Sequence, residues 1–104
     1  MNHKEQKLVC RKAKLADIKL YYKWANDVEV RRNSLKQKPI SWKIHKNWFL
    51  HKLEDRNSVL YIFEKDQNPL GQVRFDRKKN IAKISYSVGK KFRGLGYGKK
   101  ILDI

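Results

Sequence analysis

The apolar positions change period along the chain, from alternating to helical and back to extended. Lys7 to Ala13 alternates, with Leu8, Cys10 and Lys12 against Val9, Arg11 and Ala13, which predicts a short edge strand after a frayed N-terminus at residues 1–6. Ile18, Tyr21, Tyr22 and Ala25 recur at i, i+3, i+4 and i+7, so Ala16 to Asn26 is expected to form an amphipathic helix with one core-facing stripe. From Val28 to Ile40 the periodicity fades and Pro39 blocks a helix at the end, which predicts a loop with room for one helical turn. Ser41 is a good N-cap for a second helix reaching about Glu54, with Ile44, Trp48, Phe49 and Leu53 as its apolar face.

Val59-Leu60-Tyr61-Ile62-Phe63 is an unbroken run of β-favouring residues, the pattern of a strand covered on both faces. A turn at Asp66-Gln67-Asn68-Pro69 leads into Leu70 to Asp76, with Gly71, Val73 and Phe75 on one face and Gln72, Arg74 and Asp76 on the other. Arg77 to Asn80 turns the chain back. Ile81 to Val88 follows, with Ala82, Ile84, Tyr86 and Val88 opposed to Lys83, Ser85 and Ser87. These three strands are expected to form an antiparallel meander.

The chain has 104 residues, enough for one domain, and its 26 Lys+Arg against 10 Asp+Glu give a net charge of +16. Such a charge attracts polyanions without choosing among nucleic acid, nucleotide cofactor, nucleotide-sugar and acidic membrane surface. The excess is mostly lysine scattered through every element, the usual composition of a solvated surface. No apolar run approaches the ~20 residues of a membrane span, and the start lacks a signal-peptide pattern, so a cytoplasmic protein is expected. Cys10 is the one cysteine, which excludes an intrachain disulfide and reads as a small buried hydrophobe. No metal-ligand spacing is present, so no metal is expected.

After the last strand comes Gly89-Lys90-Lys91-Phe92, then Arg93-Gly94-Leu95-Gly96-Tyr97-Gly98, and Lys99-Lys100-Ile101-Leu102 looks like the start of a helix. A glycine-rich turn between strand and helix suits phosphate, because the backbone comes close and first-turn N–H groups lack partners. The spacing is neither G-x-G-x-x-G nor a P-loop, which disfavours dinucleotide and ATP sites.

Arg93 to Gly98 resembles the Arg/Gln-x-x-Gly-x-Gly/Ala acetyl-CoA motif of the GNAT N-acetyltransferases. The resemblance covers essentially the whole chain and implies an α+β fold in the order β-α-α-β-β-β-α, a mostly antiparallel sheet flanked by helices. Trp24-Ala25-Asn26-Asp27, Glu29-Val30-Arg31, Asn33-Ser34, His45, Trp48-Phe49 and Gly71 to Phe75 look like the branch containing ribosomal-protein-type acetyltransferases. Within it they look most like enzymes acetylating the 4-amino group of a UDP-linked amino sugar in pseudaminic acid and related nonulosonate biosynthesis.

The resemblance implies roles. The backbone of Arg93, Gly94, Leu95, Gly96, Tyr97 and Gly98, with Lys99 following, would hold the acetyl-CoA pyrophosphate, and Arg93 would add charge. Ser87, Val88 and Gly89, where the family's fourth strand is splayed by a bulge, would pair with pantetheine and offer an N–H to the thioester oxygen. Gln72, Arg74 and Tyr86 would line the acceptor side, and Arg31, Arg32, Asn33 and Ser34 would lie in the substrate-specifying loop, where guanidinium groups suit a diphosphate. Asp27, His45 and Tyr86 are the candidates for catalysis. Each has a plain alternative: His45 as a packing residue, Tyr86 as core, Arg74 with Asp76 as a surface charge pair, and Trp24, Trp42 and Trp48 as core or interface.

The resemblance also implies a full domain continuing past the motif helix, and the tyrosine that commonly protonates the CoA thiolate would lie beyond Ile104. The chain is thus expected to be a C-terminally truncated domain, inactive alone unless a partner chain supplies the rest, and a homodimer that covers its open edge is a separate expectation. Three other readings remain: a small basic nucleic-acid-binding protein, against which stand the spread of charge and the absence of RRM, KH or zinc signatures; a non-catalytic interaction domain that keeps the fold without chemistry; and a protein N-terminal acetyltransferase of the ribosomal-protein type.

Overall fold

A computed structural model describes residues 8–96. The expected helix at Lys99 to Leu102, the frayed residues 1–6 and the site residues Tyr97, Gly98 and Lys99 lie outside them. Strand β1 (Val9–Lys12) leads through a 3-10 turn (Leu15–Asp17) into α1 (Ile18–Ala25), then α2 (Val28–Arg32) and α3 (Trp42–Glu54). Strands β2 (Ser58–Lys65), β3 (Asn68–Lys78) and β4 (Ile81–Val88) follow, and a 3-10 turn (Lys90–Phe92) precedes the glycine segment. The four strands lie in the order β1-β2-β3-β4 with every pairing antiparallel, as the meander reading requires. Among the described residues no helix is long and apolar enough to cross a membrane.

Alternation sorts the sheet into two faces. Across the register, Leu60 meets Arg74 and Arg74 meets Ser85, while Ile62 meets Gln72 and Gln72 meets Ser87, so these side chains share the face toward the helices. On that face Tyr21, Trp24, Phe49, Leu60 and Ile62 form the main core. Phe49 is fully buried, worth about 1.5–3 kcal/mol in removed apolar surface. The Tyr21 hydroxyl donates to the Tyr61 carbonyl at 2.7 Å, fixing α1 to the sheet. A second cluster, Phe63 and Val73 with Cys10, Tyr61 and Val88 packed against it, lies on the other face, where burial pushes the Cys10 thiol up.

Several local expectations shift. The helix starts at Ile18 because Asp17 is spent closing the preceding turn: it accepts from Lys14 N (2.7 Å) and from both Arg11 Nη atoms (2.8 and 2.9 Å). The inward stripe of α1 is Tyr21 and Trp24, with Tyr22 and Ala25 only half-buried. In α3, Ser41 caps Ile44 N as expected, but the buried positions are His45 and Phe49, and Ile44 is 65% exposed. The reason is a cavity, described below, that opens where Ile44 would have packed.

The turn between β2 and β3 is shorter than expected, only Asp66 and Gln67, both at positive φ, the geometry that matches strand twist in a two-residue hairpin. Pro69, lacking an N–H, joins β3 where the β2 register shifts between Phe63 and Glu64. The residue skipped there is Leu70, so the bulge found among the described residues is in β3, and the β3/β4 register runs unbroken from Gly71 opposite Val88 to Lys78 opposite Ile81. Because β4 is the last strand there, both of its faces stay open through Ile84, and Tyr86 is 47% exposed rather than core.

Candidate functional site

A cavity of about 410 Å³ lies between the three helices and the helix-facing side of β3 and β4. Its apolar wall comes from Tyr21, Trp24, Ile40, Ile44 and Trp48, and its polar wall from Arg31, Ser34, His45, Gln72, Arg74 and the stretch Ser85 to Ser87. Asn26 keeps the roof in place by a reciprocal pair of hydrogen bonds, its Nδ2 to Ile40 O (2.9 Å) and Ile40 N to its Oδ1 (2.7 Å). That pair closes the segment between α1 and α3 into a loop and turns Arg31 and Ser34 of its midpoint into the cavity.

Each polar group has a definite setting. Arg31 donates to Lys36 O, Lys38 O and Ser34 Oγ, and Ser34 Oγ donates to Val30 O at 2.6 Å; Arg31 Nε is buried without a partner. Arg74 lies 5.1 Å above the Trp48 ring and 2.8 Å from Asp76, which Lys52 also meets at 2.9 Å and to which Ser58 donates at 2.7 Å. This is a partly buried network rather than a surface pair. Burial raises the Asp76 pKa, but the Ser58, Lys52 and Arg74 hydrogen bonds outweigh it and bring the carboxyl down to about 2. His45 is 2% exposed, ringed by Tyr22, Trp42, Trp48 and Phe49, and its Nε2 donates to the Ile18 carbonyl at 2.8 Å. Desolvation pushes its pKa down against the opposing pull of that bond, so it is neutral at pH 7. It is a packing residue that also forms cavity wall.

A second opening, about 350 Å³, adjoins the first through Val30, Ser34, Tyr86 and Ser87 and reaches Asn33, Val88 and Arg93. Here the glycine segment begins. Arg93 Nε donates to Val88 O (3.1 Å), while its Nη2 lies 2.8 Å from Asp27 Oδ1 and its Nη1 3.2 Å from Glu29 Oε2. The charge expected to serve a pyrophosphate is already neutralised by two carboxylates. Asp27 is equally committed: it caps α2 by accepting from Glu29 N and Val30 N. Burial raises its pKa, but the Arg93 bond and the α2 N–H groups win and hold it below the ordinary carboxylate range, which argues against Asp27 as a proton acceptor.

Gly94 and Gly96 both have φ of 80°, a backbone disfavoured for other residues, and a Cβ at either would meet nothing within 4 Å. Conformation rather than space requires glycine, and the turn stands open with Leu95 61% exposed. Gly89 N donates to Leu70 O at 2.7 Å, so its N–H is spent inside the sheet.

The structure thus brings together Arg31, Ser34, His45, Gln72, Arg74 and Ser87 in the main cavity, and Asn33, Val88 and Arg93 beside it. Tyr86 lines both through its stretch of β4, but it pairs with Val73, so alternation sends its side chain to the face away from Gln72 and Arg74. Arg32 lies apart, in a shallow opening with Asn26, Val28, Gln37 and Pro39. Tyr21, Trp24 and Trp48 were legible only as core, and their second role as cavity wall carries no local sequence signal; nor does Glu29 as partner of Arg93. Among the described residues no cluster of His, Cys, Asp and Glu could hold a metal.

Similar architecture occurs in solved structures. A domain from Methanocaldococcus jannaschii DSM 2661 superposes with a TM-score of 0.79 at 18% identity, over 95% of this chain and 67% of that one. Spermidine N-acetyltransferase from Vibrio cholerae in complex with CoA and spermine gives 0.78 at 16% identity, over 92% and 59%. Ribosomal-protein-alanine N-acetyltransferase from Brucella melitensis gives 0.71 at 17% identity, over 91% and 62%. At such identities the likeness concerns the fold, and this chain spans only about three fifths to two thirds of those proteins. No curated protein sequence matches the chain. The family model described as an acetyltransferase (GNAT) domain matches residues 7–103, nearly the whole of the sequence. With the meander, the cavity beside it and the glycine turn after β4 in place, the match settles the family: the chain belongs to the GNAT acetyltransferases.

Proposed function

We propose that this chain forms the donor- and acceptor-binding parts of an acetyl-CoA-dependent N-acetyltransferase whose acceptor is a small primary amine, the 4-amino group of a UDP-linked amino sugar. The observation that carries this reading is the meeting at Ser87 of two unlike features: an aromatic, arginine-bearing cavity and a strand end leading into an open glycine turn.

The residues fit the cosubstrate. Gly94 and Gly96 leave their turn free of side-chain bulk, so its backbone N–H groups suit a diphosphate. The outer edge of β4 has no partner strand among the described residues and offers backbone groups to pantetheine amides. With the Gly89 N–H given to Leu70 O, ladder alternation turns the Ser87 N–H toward Gln72 of β3 as well, which leaves Val88 as the donor to the thioester oxygen. Acetyl-CoA supplies a thioester: the amine lone pair forms the new N–C bond, the C–S bond breaks with its electron pair on sulfur, and the surplus N–H proton passes to solvent. Arg31, which makes no ion pair among the described residues, is the group here suited to a sugar-linked diphosphate.

The test is release of free CoA thiol from acetyl-CoA with a UDP-linked 4-amino sugar, spermidine and a peptide beginning with alanine as rival acceptors. Acetylation of the nucleotide sugar is expected. Preference for the peptide would favour the ribosomal-protein type, preference for spermidine would overturn the acceptor assignment, and no thiol release with any of them would overturn the activity of this chain.

A further inference from the structure

Arg74 sits on the helix-facing side of β3, between Leu60 of β2 and Ser85 of β4 in the register, and lines the main cavity. Its guanidinium is held at two points: Nε lies 2.8 Å from Asp76 Oδ2, and the group stands 5.1 Å over the Trp48 ring. Nη1 and Nη2 make no hydrogen bond among the described residues and, unlike Arg31 Nε, neither is sealed from solvent. That leaves open the end of the fork whose two nitrogens match two oxygens of one carboxylate or phosphate. Because Asp76 and Trp48 already fix the group, a ligand need not order it on binding.

The surroundings say what such a ligand carries. Lys52 of α3 and Arg74 share the single carboxylate of Asp76, and Asp55 approaches this trio at Ser58 Oγ, 3.2 Å away. Arg31 of α2 faces the same cavity, but its Nη1 donates to Lys36 O and Lys38 O and its Nη2 to Ser34 Oγ, so it chiefly holds its own loop. The larger free donor set is that of Arg74. Beside it Tyr21, Trp24 and Trp48 form an aromatic wall, which suits an apolar or ring-bearing body attached to the anionic group.

We propose that Arg74 determines the specificity of this cavity: its Nη1 and Nη2 receive two oxygens of one oxyanion, phosphate or carboxylate, carried on a body that packs along the aromatic wall. The inference rests on reading this cavity as the acceptor side and assigns the residue that recognises the acidic part of the acceptor. The binding it requires is measurable without acetyl-CoA.

The probes are phenyl phosphate, benzoate and, as the uncharged counterpart of benzoate, benzamide, each titrated into the 104-residue chain by NMR at physiological salt. Both anions are expected to bind at least about 10-fold more tightly than benzamide, equivalent to ~1.4 kcal/mol, and to shift the Trp48 indole resonance. Arg74→Lys keeps the charge and loses the fork, so it should weaken both anions about 10-fold. Arg74→Gln should abolish their advantage over benzamide. Lys52 and Ser58 still hold Asp76 in either variant, and Arg74→Lys carries the test if Arg74→Gln does not fold. Lys43→Gln, an exposed position of α3, should change nothing. Equal affinity for benzoate and benzamide, no binding by either anion, no loss in Arg74→Lys, an equal loss in Lys43→Gln, or shifts at Gly94 and Gly96 in place of Trp48 would each overturn the proposal. Benzoate bound more tightly than phenyl phosphate would support the role of Arg74 while overturning the nucleotide-sugar acceptor, and failure of acetyl-CoA to bind would overturn only the reading of the glycine turn.

Discussion

Arg93 Nη2 lies 2.8 Å from Asp27 Oδ1, an ion pair that ties the start of the glycine turn to the N-cap of α2, the helix that carries Arg31. Both side chains are mostly buried, at 26% and 15% exposure, and Arg93 also grips Val88 O and Glu29. One guanidinium thus ties the end of β4, the start of the glycine turn and the first turn of α2 together. Asp27→Asn keeps a capping oxygen and loses the charge pairing, so it should cost about 1–2 kcal/mol in urea unfolding. Asp27→Ala loses the cap as well and should cost roughly 1 kcal/mol more. Equal losses for the two variants would show that the cap contributes nothing.

Gly71 of β3 has no room for a side chain against β4. A Cβ there would stand 2.3 Å from Ser87 O and 3.1 Å from Val88 Cα, both backbone atoms that cannot swing aside. Gly71→Ala is expected to push the end of β4 outward, lowering stability by about 1–3 kcal/mol and altering the amide resonances of Ser87 to Gly89 in NMR spectra. Unchanged resonances would contradict this register.

His45 gives stability a pH dependence near neutrality. Its folded pKa is depressed, so below about pH 6.5 the unfolded chain takes up a proton that the folded chain refuses. The stability present above that pH should fall as pH drops through 6.5. Unfolding free energies measured between pH 5 and 8 should show this slope in the wild-type chain, and His45→Gln should flatten it.

Asp76 acts in the acid range. Its folded pKa of about 2 lies below the unfolded value near 3.9, so the stability it contributes is complete above pH ~4 and lost as pH falls toward 2. Asp76→Asn should remove roughly 2 kcal/mol at pH 7 and make acid unfolding shallower between pH 4 and 2. The same variant frees Arg74 from its 2.8 Å partner, so the indole fluorescence of Trp48 beneath it should also change.

The strands and the α3 cap were legible because their signals are local: alternation located Ile81–Val88 to the residue, and Ser41 capped the helix it was expected to cap. The inward face of α3 was legible at Phe49 and Trp48 but not at Ile44. Apolar periodicity favours Ile44 and passes over His45, whereas the fold buries the imidazole by satisfying Nε2 at Ile18 O and leaves Ile44 beside a cavity. In α1 Trp24 is legible as core, but its place on the inward stripe is not: the stripe through Tyr22 and Ala25 fits the period equally well, and only the position of α3 decides between them. In the site, Gln72 and Arg74 sharing a face followed from alternation alone. That Arg93 would be neutralised by Asp27 and Glu29 did not, because this pairing depends on how α2 docks beside the end of β4.

The proposed donor site combines the β4 edge with the turn at Gly94 and Gly96. It is tested most directly by calorimetric titration of acetyl-CoA into the 104-residue chain at physiological salt, with adenosine diphosphate as control and Gly96→Val as the variant. Saturable binding that needs the pantetheine arm is expected, at least ~10-fold tighter than adenosine diphosphate. It should be lost in the variant, because a β-branched residue is strained at the φ of 80° found there. Absence of binding, or equal affinity for acetyl-CoA and adenosine diphosphate that collapses on raising the salt, would contradict it and leave only the attraction of a basic surface for phosphate.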